Sequence, residues 1–233
     1  MGLVGSFKGG KLLRSKLLIA LILLVLGFFG RAYAEPSAAS QTTPLKQGSQ
    51  SHLPVLLVLG DSLSAEYGIS RGEGWVNLLE RRINVRGATW EVFNASISGE
   101  TTAGGLSRLP DLLQQKKPQL VIIELGANDA LRGLALSSSE KNLRTMVQLS
   151  QKAKAKVLLL GMRIPTNYGA TYSKQFASMY STIATAEKIS LVPFFLQGVA
   201  EKPELFQADR LHPRAEAQSI LLQNVWGKLA PLL

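Results

Sequence analysis

The 233-residue sequence contains no cysteine and only two histidines, His52 and His212. Without cysteine the chain has no disulfide bond, no thiol nucleophile and no metal site built on thiolates. Two histidines also argue against a zinc site with histidine ligands, and we expect no metal. Aromatic residues are only 7% of the chain, and basic pairs such as Arg81-Arg82 and Lys116-Lys117 are not clustered with them. We therefore expect no nucleic-acid binding.

The first 34 residues have the order of features found in a secretory signal peptide. Basic residues between positions 8 and 16 precede a nearly unbroken apolar stretch, Leu17–Gly30, and Ala32-Tyr33-Ala34 supplies small residues at a cleavage site. The apolar stretch is shorter than the roughly 20 residues of a spanning helix. We expect cleavage after Ala34 and a periplasmic or secreted protein. The alternative is an uncleaved N-terminal anchor, which cannot be attached through a lipidated cysteine.

The remaining residues divide into a linker and one domain. The leader holds five basic and no acidic residues, so its removal lowers the formal net charge from +10 to +5. Residues 35–53 are rich in Ser, Thr, Gln and Pro and have no apolar period, which predicts a flexible linker. Residues 54–233 are long enough for a single domain with a sizeable core. A modest positive charge suits anionic substrates or membrane surfaces without specifying either.

Apolar runs alternate with helical patterns from Pro54 onward. Four of the five runs are almost continuously apolar, as expected for parallel strands covered on both faces. The alternation predicts an α/β fold with three layers, in which helices cover both faces of a doubly wound, flavodoxin-like sheet of about five parallel strands. Pro110 is expected to divide the helical segment Thr101–Lys117. The predicted strands are Val55–Leu59, Glu91–Ile97, Leu120–Leu125, Val157–Met162 and Leu191–Phe195.

Small and polar residues follow the first three predicted strands. Ser62 follows the first strand after Gly60-Asp61, Gly99 follows the second, and Asn128 follows the third. In doubly wound sheets the reactive groups gather beyond the carboxyl ends of the strands. We therefore expect these three residues to lie at one site. Asp61 is expected to brace the turn rather than to react, because adjacent residues in a tight turn point in different directions.

A base for Ser62 has to come from one of the two histidines, since a serine hydroxyl needs a neighbouring base to become nucleophilic. His52 lies in the predicted linker, whereas His212 lies at the entry of the last helical pattern, before Pro213. Asp209, three residues earlier, is placed to accept the imidazole Nδ1–H and leave Nε2 facing Ser62. Asp-x-x-His alone is a weak signal, and the alternative is a loop carboxylate followed by a helix-capping histidine.

Three hydrogen-bond donors are candidates for an oxyanion hole, the group of donors that stabilises the negative oxygen formed during acyl transfer. They are the backbone N–H groups of Ser62 and Gly99 and the side-chain amide of Asn128, which donates in any protonation state. The alternatives are that Gly99 serves only a turn and that Asn128 is an Asx-turn residue.

The order and spacing of four sequence blocks resemble those of the SGNH hydrolases, also called GDSL esterases. The similarity runs from about Pro54 to the C-terminus and is greatest to the bacterial periplasmic branch of acyl-CoA thioesterases, lysophospholipases and arylesterases. This resemblance implies Ser62 as nucleophile, His212 as base, Asp209 as its partner, and an oxyanion hole of Ser62, Gly99 and Asn128, without a cofactor. Arg210 departs from it, because relatives often carry glycine there. The blocks are Gly60-Asp61-Ser62-Leu63-Ser64, Gly99, Gly126-Ala127-Asn128-Asp129 and Asp209-Arg210-Leu211-His212-Pro213.

The expected substrate is a small acyl ester, an acyl thioester or a lysophospholipid, acted on by a monomer that contacts a membrane only through its substrate. One alternative is a carbohydrate O-acetylesterase with the same catalytic blocks. A second is a non-catalytic acyl- or glycan-binding protein, which has no use for a base beside a serine. Apolar residues near the predicted mouth suit an acyl chain and ordinary packing equally. They are Leu63, Leu131, Ile164 and Pro165, together with Ile97 and Leu134.

Overall fold

A computed structural model of the chain describes residues 52–85, 87 and 89–233. The predicted signal peptide, residues 1–34, and all but the last two residues of the predicted linker lie outside the described residues. Within the described part of the chain, no helix combines the length and apolar character needed to cross a membrane.

Five parallel strands form one sheet with the order β2-β1-β3-β4-β5. Helices cover both faces, so the predicted three-layer, doubly wound α/β architecture is confirmed. One layer holds α1 and α6, which contact each other, and the other holds α2, α4 and α5, with α4 between its two neighbours. The strands are β1 Val55–Gly60, β2 Glu91–Asn94, β3 Leu120–Glu124, β4 Lys156–Leu160 and β5 Ser190–Val192. The α-helices are α1 Trp75–Ile83, α2 Thr102–Lys116, α3 Ala127–Leu131, α4 Leu136–Lys152, α5 Ala170–Glu187 and α6 Gln218–Leu229.

The central strands are buried along almost their whole length. Every residue of β1 and β3 is buried, as is β4 after Lys156. A strand covered by helices on both faces has no solvent side, which explains why these sequences are apolar without alternation. The edge strand β2 is only half-buried.

Both outer strands are shorter than the apolar patterns predict. The second strand ends at Asn94, whose side chain accepts the Ser96 N–H at 3.1 Å and donates to the Ser64 carbonyl at 2.8 Å. Such a local side-chain bond competes with the strand ladder and turns the chain. The fifth strand ends at Val192, since Pro193 has no N–H to continue it.

The predicted division of a helix at Pro110 is wrong. Helix α2 is continuous from Thr102 to Lys116, with Pro110 on its exposed side and Leu109 and Leu113 buried. The proline removes one helical hydrogen bond without ending the helix. Burial of Leu109 and Leu113 on the neighbouring face stabilises the helix by roughly 1.5–3 kcal/mol for each side chain.

The topology brings residues that are distant in sequence to one edge of the sheet. The central strands β1 and β3 are neighbours, with Gly60 opposite Glu124 at their carboxyl ends. A Cβ at position 60 would lie 2.8 Å from both the Glu124 Oε2 and the Ser64 Oγ, so the close approach requires glycine. Ser62 leaves β1 two residues later, and Asn128 enters α3 four residues after β3.

Candidate active site

Three predicted residues form one hydrogen-bonded chain at this edge. His212 Nε2 lies 2.9 Å from the Ser62 Oγ, and His212 Nδ1 lies 2.7 Å from Asp209 Oδ2. Ser62 and His212 are separated by 150 positions in the sequence. The contacts leave one imidazole nitrogen facing the hydroxyl and the other facing the carboxylate, the arrangement in which a serine can be deprotonated.

Tight turns in residues 205–214, here called the base loop, place Asp209 and His212 next to each other. Asp209 Oδ1 accepts the N–H groups of Leu211 and His212 at 2.9 and 3.0 Å, which turns the carboxylate back toward the imidazole. Arg210, which lies between Asp209 and Leu211 in the sequence, has a φ of 56°, in the left-handed region. Partial burial alone would raise the pKa of Asp209, but hydrogen bonds from the His212 ring and these N–H groups outweigh it and lower the pKa to about 2. Asp209 is therefore ionised beside the imidazole at neutral pH.

The nucleophile loop, residues 61–74, is anchored by a buried carboxyl group. Asp61 is 1% exposed; its Oδ1 accepts the Leu63 N–H at 3.0 Å and its Oδ2 accepts from Asn128 Nδ2 at 3.0 Å. Both oxygens thus hold neighbours of Ser62, in agreement with the predicted bracing role. Burial raises the pKa of Asp61 to about 6, against hydrogen bonds to the Leu63 N–H and other donors that favour the charged form.

A second buried acid, Glu124, lies behind Asp61, and the sequence analysis missed it. Its Oε2 accepts from Ser64 Oγ at 2.9 Å and from the Asp61 N–H at 3.2 Å, while Ser64 Oγ accepts the Trp75 indole N–H at 3.2 Å. Its Oε1 has no hydrogen-bond partner among the described residues. Burial, and next the charge of Asp61, raise the pKa of Glu124 well above its usual range. The available signal was a lone glutamate at the end of an otherwise apolar strand.

The three predicted oxyanion donors differ in how they are occupied. The N–H groups of Ser62 and Gly99 donate to no described residue. Asn128 Nδ2 donates both to Asp61 Oδ2 and to the Glu100 carbonyl, each at 3.0 Å. An oxyanion at Asn128 therefore has to share one of these two amide hydrogens. Gly99, with a φ of 78°, does not line the cavity described next, but its neighbour Glu100 contacts Asn128.

A mostly apolar cavity of about 360 Å³ opens beside Ser62 and His212. Its walls follow the carboxyl ends of β1, β3, β4 and β5 and include the base loop, whereas no wall residue follows β2. The predicted contacts Leu63, Leu131, Ile164 and Pro165 all line it. The sequence analysis missed several further wall residues: Met162, Arg163, Phe194, Leu196, Phe206 and Arg210.

Two residues expected at the mouth are not brought to the cavity. Ile97 is 48% exposed and follows β2, which lies on the other side of β1 from the cavity walls. Leu134 is 43% exposed and lies beyond the end of α3. The order of the strands decides which loops form the cavity, and this order cannot be read from apolar runs alone. Among the described residues no cluster of three or more acidic or histidine side chains is placed to hold a metal ion.

Comparison with known proteins identifies similar sequences and structures. The sequence model of the GDSL-like Lipase/Acylhydrolase family matches residues 58–220. Esterase TesA of Pseudomonas aeruginosa is 50% identical over 79% of this chain and 92% of its own, and the arylesterase of Vibrio mimicus is 47% identical over 75% and 87%. The thioesterase 1/protease 1/lysophospholipase L1 of Escherichia coli is 41% identical over 76% and 84%.

Two solved structures extend the likeness to the fold. A crystal structure of TesA superposes with a TM-score of 0.75 at 51% identity, covering 77% of this chain and 99% of that one. The psychrotrophic esterase EstA from Pseudoalteromonas sp., solved in a form inhibited by monoethylphosphonate, has a TM-score of 0.72 at 42% identity, covering 76% and 97%.

Proposed function

Because the chain belongs to the GDSL-like lipase/acylhydrolase family, we propose that it hydrolyses carboxylic esters and thioesters through an acyl-enzyme formed on Ser62. The observation that carries the proposal is the unbroken chain of hydrogen bonds from Ser62 Oγ through His212 to Asp209, at 2.9 and 2.7 Å, beside an apolar cavity. A binding protein with no reaction to catalyse gains nothing from this alignment.

In the first half of the reaction, Ser62 Oγ attacks the carbonyl carbon while its proton passes to His212 Nε2. The carbonyl oxygen becomes negatively charged and is stabilised by the unoccupied N–H groups of Ser62 and Gly99 and by the amide of Asn128. The negative charge of Asp209 stabilises the imidazolium that forms. When the carbon–oxygen or carbon–sulfur bond to the leaving group breaks, His212 returns its proton to the departing alcohol or thiol.

In the second half, water replaces the leaving group. His212 Nε2 removes a proton from water, the hydroxide attacks the acyl carbon, and the same donors stabilise the new oxyanion. The bond to Ser62 Oγ then breaks, and the serine recovers a proton from His212. The products are one carboxylic acid and the original enzyme, with no external oxidant, reductant or cofactor.

The apolar cavity and the activities of the relatives support the proposed substrate class. Apolar walls suit an acyl chain, and the relatives are an esterase, an arylesterase and a thioesterase/lysophospholipase. We propose aryl esters, lysophospholipids, acyl thioesters and other small acyl esters as substrates of a catalytic domain, residues 54–233, that is periplasmic or secreted after cleavage near Ala34. A carbohydrate O-acetylesterase would instead prefer a two-carbon acyl group, so acyl esters of p-nitrophenol from two to twelve carbons distinguish the two functions.

Covalent labelling with a fluorophosphonate tests the proposal directly. The activated Ser62 Oγ should attack phosphorus and displace fluoride, and mass spectrometry should locate one phosphonyl group on the peptide containing Ser62. Ser62→Ala should abolish both labelling and ester hydrolysis, and His212→Ala should lower the labelling rate by at least about 10³-fold.

A matched control separates activation from mere exposure. Ser70 is an exposed serine of the same loop, and Ser70→Ala should label at the wild-type rate. Labelling at a different residue, or hydrolysis that survives Ser62→Ala, would remove Ser62 as the nucleophile.

A further inference from the structure

The base loop is joined to the nucleophile loop by few contacts. Two hydrogen bonds between described residues cross from one to the other: His212 Nε2 to Ser62 Oγ, and Gln207 Nε2 to the Tyr67 carbonyl. The first is the contact through which the proton moves, so it cannot also hold the loops in register throughout the reaction. The alignment of the base therefore depends on something beyond the Asp209-His212 pair.

Tyr67 packs its ring directly on the imidazole. The ring centroids of Tyr67 and His212 are 4.3 Å apart, with an angle of 40° between the planes. Tyr67 is 50% exposed, so its ring is not held there by burial in the core. The ring covers the imidazole on a side that neither Asp209 nor Ser62 occupies, because those two bond to the ring nitrogens.

Gln207 is hydrogen-bonded to the backbone of both segments that carry the rings of Tyr67 and His212. Its side-chain amide donates to the Tyr67 carbonyl at 2.8 Å and to the Pro213 carbonyl at 3.3 Å. Its backbone N–H donates to the His212 carbonyl at 2.8 Å. One residue thus bonds the carbonyls of Tyr67, His212 and Pro213. Its side chain also packs so closely against Gly68 that a Cβ there would collide with it.

We propose that Tyr67 and Gln207 form a clasp, a pair of positioning residues that holds the His212 imidazole in line with Ser62. This inference rests on the proposed function, because it concerns the base of that reaction. Gln207 sets the distance between the two loops, and the Tyr67 ring limits rotation of the imidazole about its bond to the backbone. Neither side chain is hydrogen-bonded to Ser62 Oγ or to His212 Nε2, and each acts by positioning His212.

The clasp has an electrostatic consequence as well as a geometric one. The imidazole becomes positively charged while the tetrahedral intermediate forms, and the face of an aromatic ring within about 6 Å attracts a cation. Tyr67 is therefore expected to stabilise the charged state more than the neutral one. This attraction comes from the ring and not from the phenolic hydroxyl, so phenylalanine should replace tyrosine and an aliphatic side chain should not.

Variants of Tyr67 test the aromatic half of the clasp. In the full-length protein, Tyr67→Leu should lower kcat for a p-nitrophenyl ester about fivefold, with KM within twofold, while Tyr67→Phe keeps kcat within twofold. The rate of fluorophosphonate labelling should fall in parallel with kcat, since both need the activated hydroxyl. Tyr168→Leu removes a similarly exposed tyrosine that does not line the cavity and should match wild type.

Variants of Gln207 test the polar half. Gln207→Met keeps the length of the side chain but removes both N–H donors, and should lower kcat about tenfold by leaving the Tyr67 and Pro213 carbonyls unpaired. Gly68→Ala should reproduce this loss by displacing the Gln207 side chain. Gln115→Met alters an exposed glutamine of α2 and should have no effect. In the Tyr67→Leu/Gln207→Met double variant the loss should be smaller than the roughly fiftyfold product of the single losses, because the two act together.

The outcomes separate the clasp from other roles. A raised KM with unchanged kcat would show that these residues contact the substrate. An equal fall in kcat for Tyr67→Phe and Tyr67→Leu would show that the aromatic ring is not what matters. Either result overturns the clasp. If Tyr67→Leu melts below the assay temperature, the Tyr67→Phe and Gln207→Met comparisons still decide. Absence of wild-type labelling at Ser62 would instead refute the proposed function, whereas normal labelling that is insensitive to both variants refutes only the clasp.

Discussion

The proposed nucleophile, Ser62, and the proposed base, His212, reach the same site from regions of opposite character. Ser62 leaves a fully buried strand next to Asp61, which is 1% exposed and is backed by Glu124, which is 0% exposed. His212 and Asp209 lie in a surface loop, with side chains 20% and 38% exposed. One half of the site is therefore fixed by the sheet and a buried acid pair, and the other by turns and a few contacts on the surface.

Because one half of the site is buried and the other exposed, substitutions in the two halves should have different effects. Changes on the buried side remove partners from groups that water cannot reach, so they should affect both stability and chemistry. Changes in the exposed loop should leave the free energy of unfolding nearly constant and act on catalysis alone, provided that the turn geometry survives. Three substitutions test whether the buried and exposed parts of the site differ in this way, and they are given from the largest expected effect to the smallest.

Asn128→Ala should have the largest effect, because it removes a proposed oxyanion donor and also one partner of the buried Asp61 carboxyl. Loss of a single donor of this kind costs about 3–4 kcal/mol in another hydrolase. We expect kcat to fall about 10²–10³-fold in ester hydrolysis assays while circular dichroism shows a folded domain. A variant with wild-type kcat would exclude Asn128 from the oxyanion hole and leave it a brace for Asp61.

Glu124→Gln should reveal the buried side through the pH dependence of stability. The pKa of Glu124 is raised in the folded protein, so folding retains a proton that the unfolded chain loses above about pH 4. Its contribution to stability is therefore greatest below that pH and declines as the pH rises. Glutamine has no such proton, so in urea unfolding the free energy of unfolding of the variant, relative to wild type, should rise between pH 4 and pH 7.

A control for net charge is available on the surface. Glu80→Gln makes the same formal change at an exposed position of α1. Its unfolding curve should follow wild type from pH 4 to pH 7. If the stability of Glu124→Gln and of Glu80→Gln depends on pH in the same way, Glu124 does not hold a proton in the folded state. The buried acid pair then makes no special contribution to the pH dependence of stability.

Arg210→Gly, a substitution in the exposed base loop, should have the smallest effect. Glycine relieves the left-handed backbone of Arg210, worth about 1 kcal/mol, but adds a similar freedom to the unfolded chain. The melting temperature should therefore move by no more than about 2 °C. Arg210→Val, which resists this conformation, should instead lower kcat by disturbing the turn that joins Asp209 to His212. Equal kcat in the two variants would show that this turn does not control the base.

The two parts of the site also differ in how well they can be predicted from the sequence. Apolar strands followed by Ser62 and Asn128 place both residues at one edge of the sheet, since parallel strands end together there. His212 is predicted as the base because the sequence contains only two histidines and the other, His52, precedes the first strand. Glu124 was missed because a single acid in an apolar run gives no pattern, and its partners are Asp61 and Ser64, some 60 positions away.

The contacts of Tyr67 and Gln207 could not be predicted for a related reason. They join loops 140 positions apart, and their meeting depends on how the base loop folds over the sheet. Ile97 illustrates the opposite error: it follows the edge strand β2, and no residue of the segment between β2 and α2 lines the cavity. Local patterns gave the elements, while the order of the strands decided their neighbours.

The one-sided placement of the cavity has a consequence for how such an enzyme changes. All of its walls follow β1, β3, β4 and β5 or belong to the base loop, and none follows β2. In the proposed reaction the acyl chain occupies this cavity, so changing the length of the segment after β4 is expected to alter which acids are released while the strand before Ser62 and the base loop keep their places. Acyl-chain preference and reactivity should then respond to different mutations.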